Sequence, residues 1–406
     1  MLAFFPHLCY YVPQAKTFVF LKKTIVSDRE ESDTMKAALL GFGVVGGGVY
    51  TMLQEHPGWE VSHVLVRREI PELGSKAVRS IDAIVNDPAV DVVVEAMGGT
   101  HPAFDYVSAA LKAGKHVVTA NKALIAAYYN ELTALARENG VALRCTAAVG
   151  GGIPWLTSLE RACSLDEIEA VSGIMNGTTN YILDVMTREG KDFAKVLADA
   201  QELGYAEADP TADIDGWDIR RKLVISANIA FGVSVREEDI PMSGIRGITA
   251  EDIAAFTEAG LVCRMIASAA QKDGAVSATV EPTLLPRTAP EAAVPLNYNR
   301  ISYTAKRLGA QAFFGQGAGR YPTASNCVRD CLDIEAGKRS FYAEKAEPAS
   351  VCNDNSLRAY YIRTEDPAAF ADLAEGKLGS GIVTRPIPVP EMYARASKCS
   401  FFAALA

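Results

Sequence analysis

Residues 37–40, Ala-Ala-Leu-Leu, form a short apolar run that passes at once into Gly41-Phe42-Gly43-Val44-Val45-Gly46-Gly47-Gly48, and Val49-Tyr50-Thr51-Met52-Leu53 continues with helical character. No other stretch restricts the fold as strongly. A strand, a GxGxxG turn and a helix in that order open a parallel α/β sheet of the Rossmann type. The glycines permit a tight turn and let backbone N–H groups approach a pyrophosphate at the helix N-terminus. Gly41, Gly43 and Gly46 are therefore the first candidate cofactor contacts, against the plainer reading of a glycine turn that packs a strand on a helix.

The following residues extend this pattern. A second strand is expected over residues 61–66, ending at Arg67-Arg68 with Glu69 behind. An acid at such a strand end takes the ribose 2′-OH of NAD, whereas two guanidiniums suit the 2′-phosphate of NADP. NADP is expected, and Glu69 keeps NAD open. Residues 91–95 read as a buried strand whose carboxyl end opens into Met97-Gly98, where ligands bind in such sheets. After a helical stretch at 101–113, a further strand from His116 ends near Asn121-Lys122. Lys122 is then either a solvated surface lysine or a residue at the chemical end of the sheet. The strand at 141–145 leads to Gly150-Gly151-Gly152-Ile153-Pro154, which allows carbonyls to turn inward around a monovalent cation or forms a hinge.

Residues 203–222 carry five carboxylates, Glu207, Asp209, Asp213, Asp215 and Asp218, in a loop broken by Gly204, Pro210 and Gly216, and the apolar helix that follows bears Lys222. On a helix, Asp218 and Lys222 are four residues apart and share a face. A solvated acidic loop is the ordinary explanation. Behind a dinucleotide turn, the same block fits a redox enzyme whose substrate carries an ammonium group. Around it the pattern is α+β: a strand at 168–174, an Asn/Thr/Gly cluster at a helix start near 176–183, a helix at 193–203, another through residue 229, and strands at 276–280 and 301–304. The loop 315–325 either closes over the cofactor or caps a helix at 323–334. The tail contains a helix-like stretch at 366–375.

Composition sets the bounds. A chain of 406 residues exceeds one typical core. The formal net charge of −9 speaks against nucleic acid as a partner, which needs a basic face. No apolar run reaches the roughly 20 residues that span a bilayer, so no membrane is expected. Eight scattered cysteines form no CxxC pair, and Cys327 and Cys331 read as small buried side chains, consistent with a reduced, cytoplasmic protein. Residues 1–34 read as an extension ahead of a natural start at Met35.

Four motifs coincide in order: the glycine turn at 41–46, Thr119-Ala120-Asn121-Lys122, Gly177-Thr178-Thr179-Asn180-Tyr181-Ile182-Leu183, and the 203–222 block. With Gly317-Ala318-Gly319 and Pro322-Thr323-Ala324-Ser325, the chain resembles the homoserine dehydrogenase family over roughly residues 35–340. The resemblance implies reduction of L-aspartate 4-semialdehyde to L-homoserine with NADPH or NADH, on the route to threonine and methionine. It implies Lys222 as proton donor, Lys122 as a second active-site lysine near the nicotinamide, and Glu207 and Asp218 as substrate ligands, with Asp213 in the same cluster. Phe42, Val44 and Val45 fall where the turn's backbone meets the pyrophosphate, and Gly204, Gly317 and Gly319 match cofactor-lining positions. A bound monovalent cation, sodium, is implied on the carbonyls of Thr146, Val149, Gly151 and Ile153. Thr146 stands where the family often has Glu, and Trp155 where an aliphatic residue is usual.

The expected architecture is thus α/β: a Rossmann-type NAD(P)-binding domain at 35–160, an α+β catalytic and dimerisation domain at 161–310, a return to the nucleotide-binding domain at 311–350, and a short ACT-like segment at 351–406. The tail is short for an ACT domain, so threonine feedback is not expected. The expected assembly is a homodimer or homotetramer. The rivals are another semialdehyde or amino-acid dehydrogenase on the same fold, and a cofactor-binding regulator without catalysis, which the presence of both lysines disfavours.

Overall fold

Parallel strands buried on both faces organise the first half of the protein. The computed structural model describes residues 34–340 and 346–406. The expected N-terminal extension lies outside the described residues except for Thr34.

Six parallel strands, β1 (Met35–Leu40), β2 (Trp59–Leu65), β3 (Ala77–Val78), β4 (Val92–Glu95), β5 (His116–Thr119) and β6 (Leu143–Arg144), lie in the order β3-β2-β1-β4-β5-β6. Successive side chains of a strand point to opposite faces, and β1 shows it. Ala38 and Leu40 enter a core with the helices Ala103–Lys112 and Lys122–Glu138. Ala37 and Leu39 enter another with the helices Val44–Gln54 and Arg320–Glu335. The last two helices approach closely because residue 48 is glycine: a Cβ there would lie 2.9 Å from the Ala324 Cβ. The strand order reverses between β1 and β4, and their carboxyl ends open the crevice in which such sheets bind ligands.

The second sheet is mixed and has nine strands. From one edge they are Gly309–Gln316, Tyr298–Ala305, Ile168–Ile174, Leu261–Lys272, Ala275–Pro286, Phe401–Leu405, Tyr360–Arg363, Gly381–Thr384 and Ala374–Leu378. Helices Gly177–Glu189 and Trp217–Phe231 are buried along much of their length in the main core. The tail differs in form from the sequence expectation. Its strand Phe401–Leu405 pairs in parallel with Ala275–Pro286 and antiparallel with Tyr360–Arg363, so part of the tail extends the second sheet, while Leu357–Arg358 and Ile387–Pro388 pair as a separate two-stranded sheet. The helix-like stretch at 366–375 is a 3-10 turn, Pro367–Phe370, followed by the strand Ala374–Leu378, which pairs with Gly381–Thr384. Cross-strand pairing there overrides a weak local preference.

Candidate active site

The glycine turn leaves a helix end unprovided for. Gly41 has φ +98°, a backbone setting other residues rarely adopt, and a Cβ at Gly46 would lie 2.3 Å from the Gly41 carbonyl oxygen. Nothing lies within 4 Å of a Cβ built on Gly43. The helix Val44–Gln54 has no side-chain cap, and its first residue, Val44, is 67% exposed and borders open space. Uncapped N–H groups facing an open cleft are what a pyrophosphate requires. The dinucleotide fits these residues.

Glu95 fixes the crevice floor. It is fully buried at the end of β4 and accepts from Thr119 Oγ1 at 2.5 Å, Met97 N at 2.7 Å and Asn121 Nδ2 at 3.3 Å. Burial raises its pKa against the pull of these donors. Asn121 also caps the helix that Lys122 begins, accepting from Leu124 N at 3.1 Å. One buried carboxylate thus holds the ends of β4 and β5, the Met97 loop and the start of the Lys122 helix.

A cleft of about 710 Å³ runs from this crevice to the second sheet. Val44, Val45, Lys122, Gly204, Glu207, Asp213, Asp218, Lys222, Gly317 and Gly319 line it, as does Gly151. Arg67, Arg68, Met97 and Gly98 are not among its lining residues. The two arginines are exposed just past β2, and the Met97 side chain sits against Gly41, where a Cβ would meet its Cγ at 3.2 Å.

At the inner wall both lysines meet one carboxylate. Lys222 Nζ donates to Asp218 Oδ2 at 2.7 Å and to the Met175 carbonyl at 2.6 Å. Lys122 Nζ lies 3.0 Å from Asp218 Oδ1. Burial would raise the Asp218 pKa, but Lys122 and then Lys222 overcome it and hold the carboxyl well below the usual range. The Asp218 charge in turn pushes the Lys122 pKa up against burial. Asp213 is pushed up, by burial first and by the neighbouring Asp218.

Asn176 is the residue the sequence did not single out. Its Nδ2 donates to Asp213 Oδ1 at 2.7 Å and Asp218 Oδ2 at 2.9 Å, while its Oδ1 caps the helix Gly177–Glu189 by accepting from Thr179 N. Thr178 Oγ1 donates to the Tyr205 carbonyl at 2.6 Å and to Asp213 Oδ2 at 3.2 Å. The Asn/Thr/Gly cluster at the helix start was the only local trace of this. The remaining acids of the block separate by role. Asp209 accepts from Thr211 N at 3.1 Å and Asp215 pairs with Arg246, so both shape the loop. Glu207 is exposed on the cleft and its carboxylate makes no hydrogen bond among the described residues.

Trp155 braces the lysine helix from behind. Fully buried, it donates from Nε1 to Ser226 Oγ at 2.9 Å, and Ser226 donates to the Lys222 carbonyl at 2.8 Å. The carbonyl set expected around a cation is arranged differently from expectation: Asn326 Nδ2 donates to the carbonyls of Gly151 and Ile153. Among the described residues no group of three or more His, Cys, Asp and Glu side chains could hold a metal ion, and Cys327 and Cys331 are buried free thiols.

Comparison with known proteins agrees with this geometry. The family model described as "Homoserine dehydrogenase, NAD binding domain" matches residues 41–146, and that described as "Homoserine dehydrogenase" matches 154–332. A homoserine dehydrogenase of Synechocystis is 42% identical over 74% of this chain and 73% of its own length, and that of Bacillus subtilis is 39% identical over 75% and 74%. The crystal structure of a homoserine dehydrogenase from Thiobacillus denitrificans superposes with TM-score 0.83 at 31% identity, covering 92% of this chain and 98% of that one. A hyperthermophilic archaeal homoserine dehydrogenase solved with NADPH gives TM-score 0.65 at 25% identity, covering 75% and 98%. With a nicotinamide-dinucleotide crevice on one sheet and an acid–lysine cluster facing it from the other, the chain belongs to the homoserine dehydrogenase family, oxidoreductases that interconvert L-aspartate 4-semialdehyde and L-homoserine.

Proposed function

We propose that Lys222 is the proton donor of this reaction, that Lys122 assists it beside the nicotinamide, that Glu207 holds the substrate's α-ammonium, and that NADPH is the preferred reductant. The observation that carries the reading is the convergence of two ammonium groups on one buried carboxylate at the wall of the cleft. The nicotinamide, when bound, supplies the hydride to the aldehyde carbon. Charge then grows on the aldehyde oxygen, and an ammonium stabilises it and gives up a proton. Lys222 has three N–H donors, and Met175 and Asp218 take two. The third serves the substrate. Asp218 keeps both lysines in register, so its part in substrate binding is to present them, and Asn176 holds it in turn by donating to both Asp218 and Asp213. Glu207, unengaged on the cleft, supplies the anionic contact for the ammonium.

Gly41, Phe42, Gly43, Val44, Val45 and Gly46 cradle the pyrophosphate in this reading, Met97 and Gly98 border the crevice, and Gly204, Gly317 and Gly319 close over the cofactor. The exposed pair Arg67 and Arg68 at the end of β2 takes the 2′-phosphate. The expected sodium has no part in the reading, because Asn326 already engages two of its four carbonyls. A homodimer through the second sheet is the assembly we favour: its edge strand Gly309–Gln316 carries Phe314, 57% exposed. The seven described cysteines are all free thiols, which supports a reducing, cytoplasmic setting.

The test follows NADPH and NADH absorbance with aspartate semialdehyde. NADPH should give the higher kcat/KM. Lys222→Ala should lower kcat by a factor on the order of 10²–10⁴ while the Kd for NADPH stays near wild type. An unchanged kcat would remove the assigned role.

A further inference from the structure

The turn at 150–153 is tied down by an amide. Asn326, fully buried on the helix Arg320–Glu335, donates from Nδ2 to the carbonyl of Gly151 and, at 3.1 Å, to that of Ile153. Its orientation is set from the other side. Arg329 Nη1 donates to Asn326 Oδ1 at 2.7 Å, so the amide oxygen faces the guanidinium and the amide nitrogen faces the carbonyls. Nearby, Thr146 N and Oγ1 donate to Asp330 Oδ2 at 2.9 Å and 2.8 Å, and Asp330 Oδ1 accepts from Arg144 Nε at 2.9 Å.

A monovalent cation needs oxygen lone pairs free to face it, and gains from an uncompensated negative charge. Here two of the four carbonyls face a hydrogen-bond donor. Among the described residues the buried carboxylate beside them, Asp330, is paired with Arg144, which also engages Asp333, itself paired with Lys338, and the Arg329 guanidinium sits on the far side of the amide. These residues do not fit a cation.

We propose that the Asn326 amide does the structural work expected of a cation, so that the enzyme runs without a monovalent ion. The turn it pins is part of the cleft wall. Gly151 and Gly317 both line the cleft, a Cβ on Gly151 would lie 2.5 Å from the Gly317 carbonyl carbon, and Gly152 N donates to the Gln316 carbonyl at 3.2 Å. Asn326 is thereby a positioning residue for the cofactor-facing wall, an inference that rests on the dehydrogenase reading of that cleft.

The test compares sodium, potassium and choline chloride at equal ionic strength. Wild type should reduce aspartate semialdehyde at the same rate in all three and should cause no saturable broadening of the sodium NMR signal. Asn326→Ala should raise KM for NADPH about tenfold, the loss of roughly one hydrogen bond's free energy, with kcat much less affected. A wild type that loses activity in choline and recovers saturably with sodium, or that broadens the sodium signal, would overturn the proposal. So would an Asn326→Ala enzyme with unchanged KM for NADPH. Should the variant fail to fold, the two wild-type measurements decide. Absence of turnover in every salt would instead indict the dehydrogenase reading of the cleft.

Discussion

Asp218 is the residue on which the site's electrostatics turn. Its carboxyl is held well below the usual range, since the two lysine charges outweigh burial. A depressed pKa stabilises the fold above the ordinary carboxylate value, about 3.9, and that contribution is lost only as pH falls through the lower folded value. Lys122 is the mirror case. Its pKa is raised, so its contribution is complete below the ordinary lysine value, about 10.4, and is lost as pH rises through the higher folded value. Neither group titrates between these limits. Asp218→Asn removes the largest charge that raises Lys122 and an acceptor of Lys222, so kcat should fall and the Lys122 ammonium, followed by pH titration of its NMR signal, should lose its proton at lower pH than in wild type. A Lys122 titration that stays in place would show that Asp218 does not set the protonation of Lys122. The acid and lysine of the 203–222 block were legible as a pair because helical spacing alone puts them on one face. Lys122 was legible only as a lysine at a strand's end, and the salt bridge that gives it a role joins two elements far apart in the chain.

The start of the helix Gly177–Glu189 shows how much one element can carry. Asn176 caps that helix with its oxygen and bridges two carboxylates with its nitrogen. Asn176→Ala should cost about 1 kcal/mol for the lost cap and more for the buried Asp218 and half-buried Asp213 carboxylates left short of a donor. Urea denaturation measures the sum of the two costs, and kcat reports whether the carboxylates keep their places; a variant less stable by the cap alone, with kcat intact, would reduce Asn176 to a purely local role. Cap chemistry is local and could be read from Asn-Gly-Thr-Thr. The bridge could not, because Asp213 and Asp218 arrive from another segment. The same limit applies to Asn326 and Gly151, 175 positions apart. Elements defined by their own periodicity, such as Ile168–Ile174 and the β1 turn, were readable. Ala374–Leu378 was not, since its partner strand decides its state.

Across the whole molecule, the proposed roles divide one reaction between the two sheets. The parallel sheet offers uncapped helix N–H groups and Lys122; the mixed sheet backs the helix that offers Lys222. If the mixed sheet's edge also joins two copies, light scattering should report a particle of about twice 43.4 kDa, and Phe314→Glu should shift it toward that single-chain mass. A wild-type particle of 43.4 kDa would retire the dimer. Trp155 adds an optical consequence to its bracing role. The chain has three tryptophans, and replacing Trp59 and Trp217 by Phe would leave one indole, linked through a single hydroxyl to the backbone of Lys222. The protein's own fluorescence would then report, without any attached dye, how the helix that carries Lys222 moves as NADPH and semialdehyde arrive.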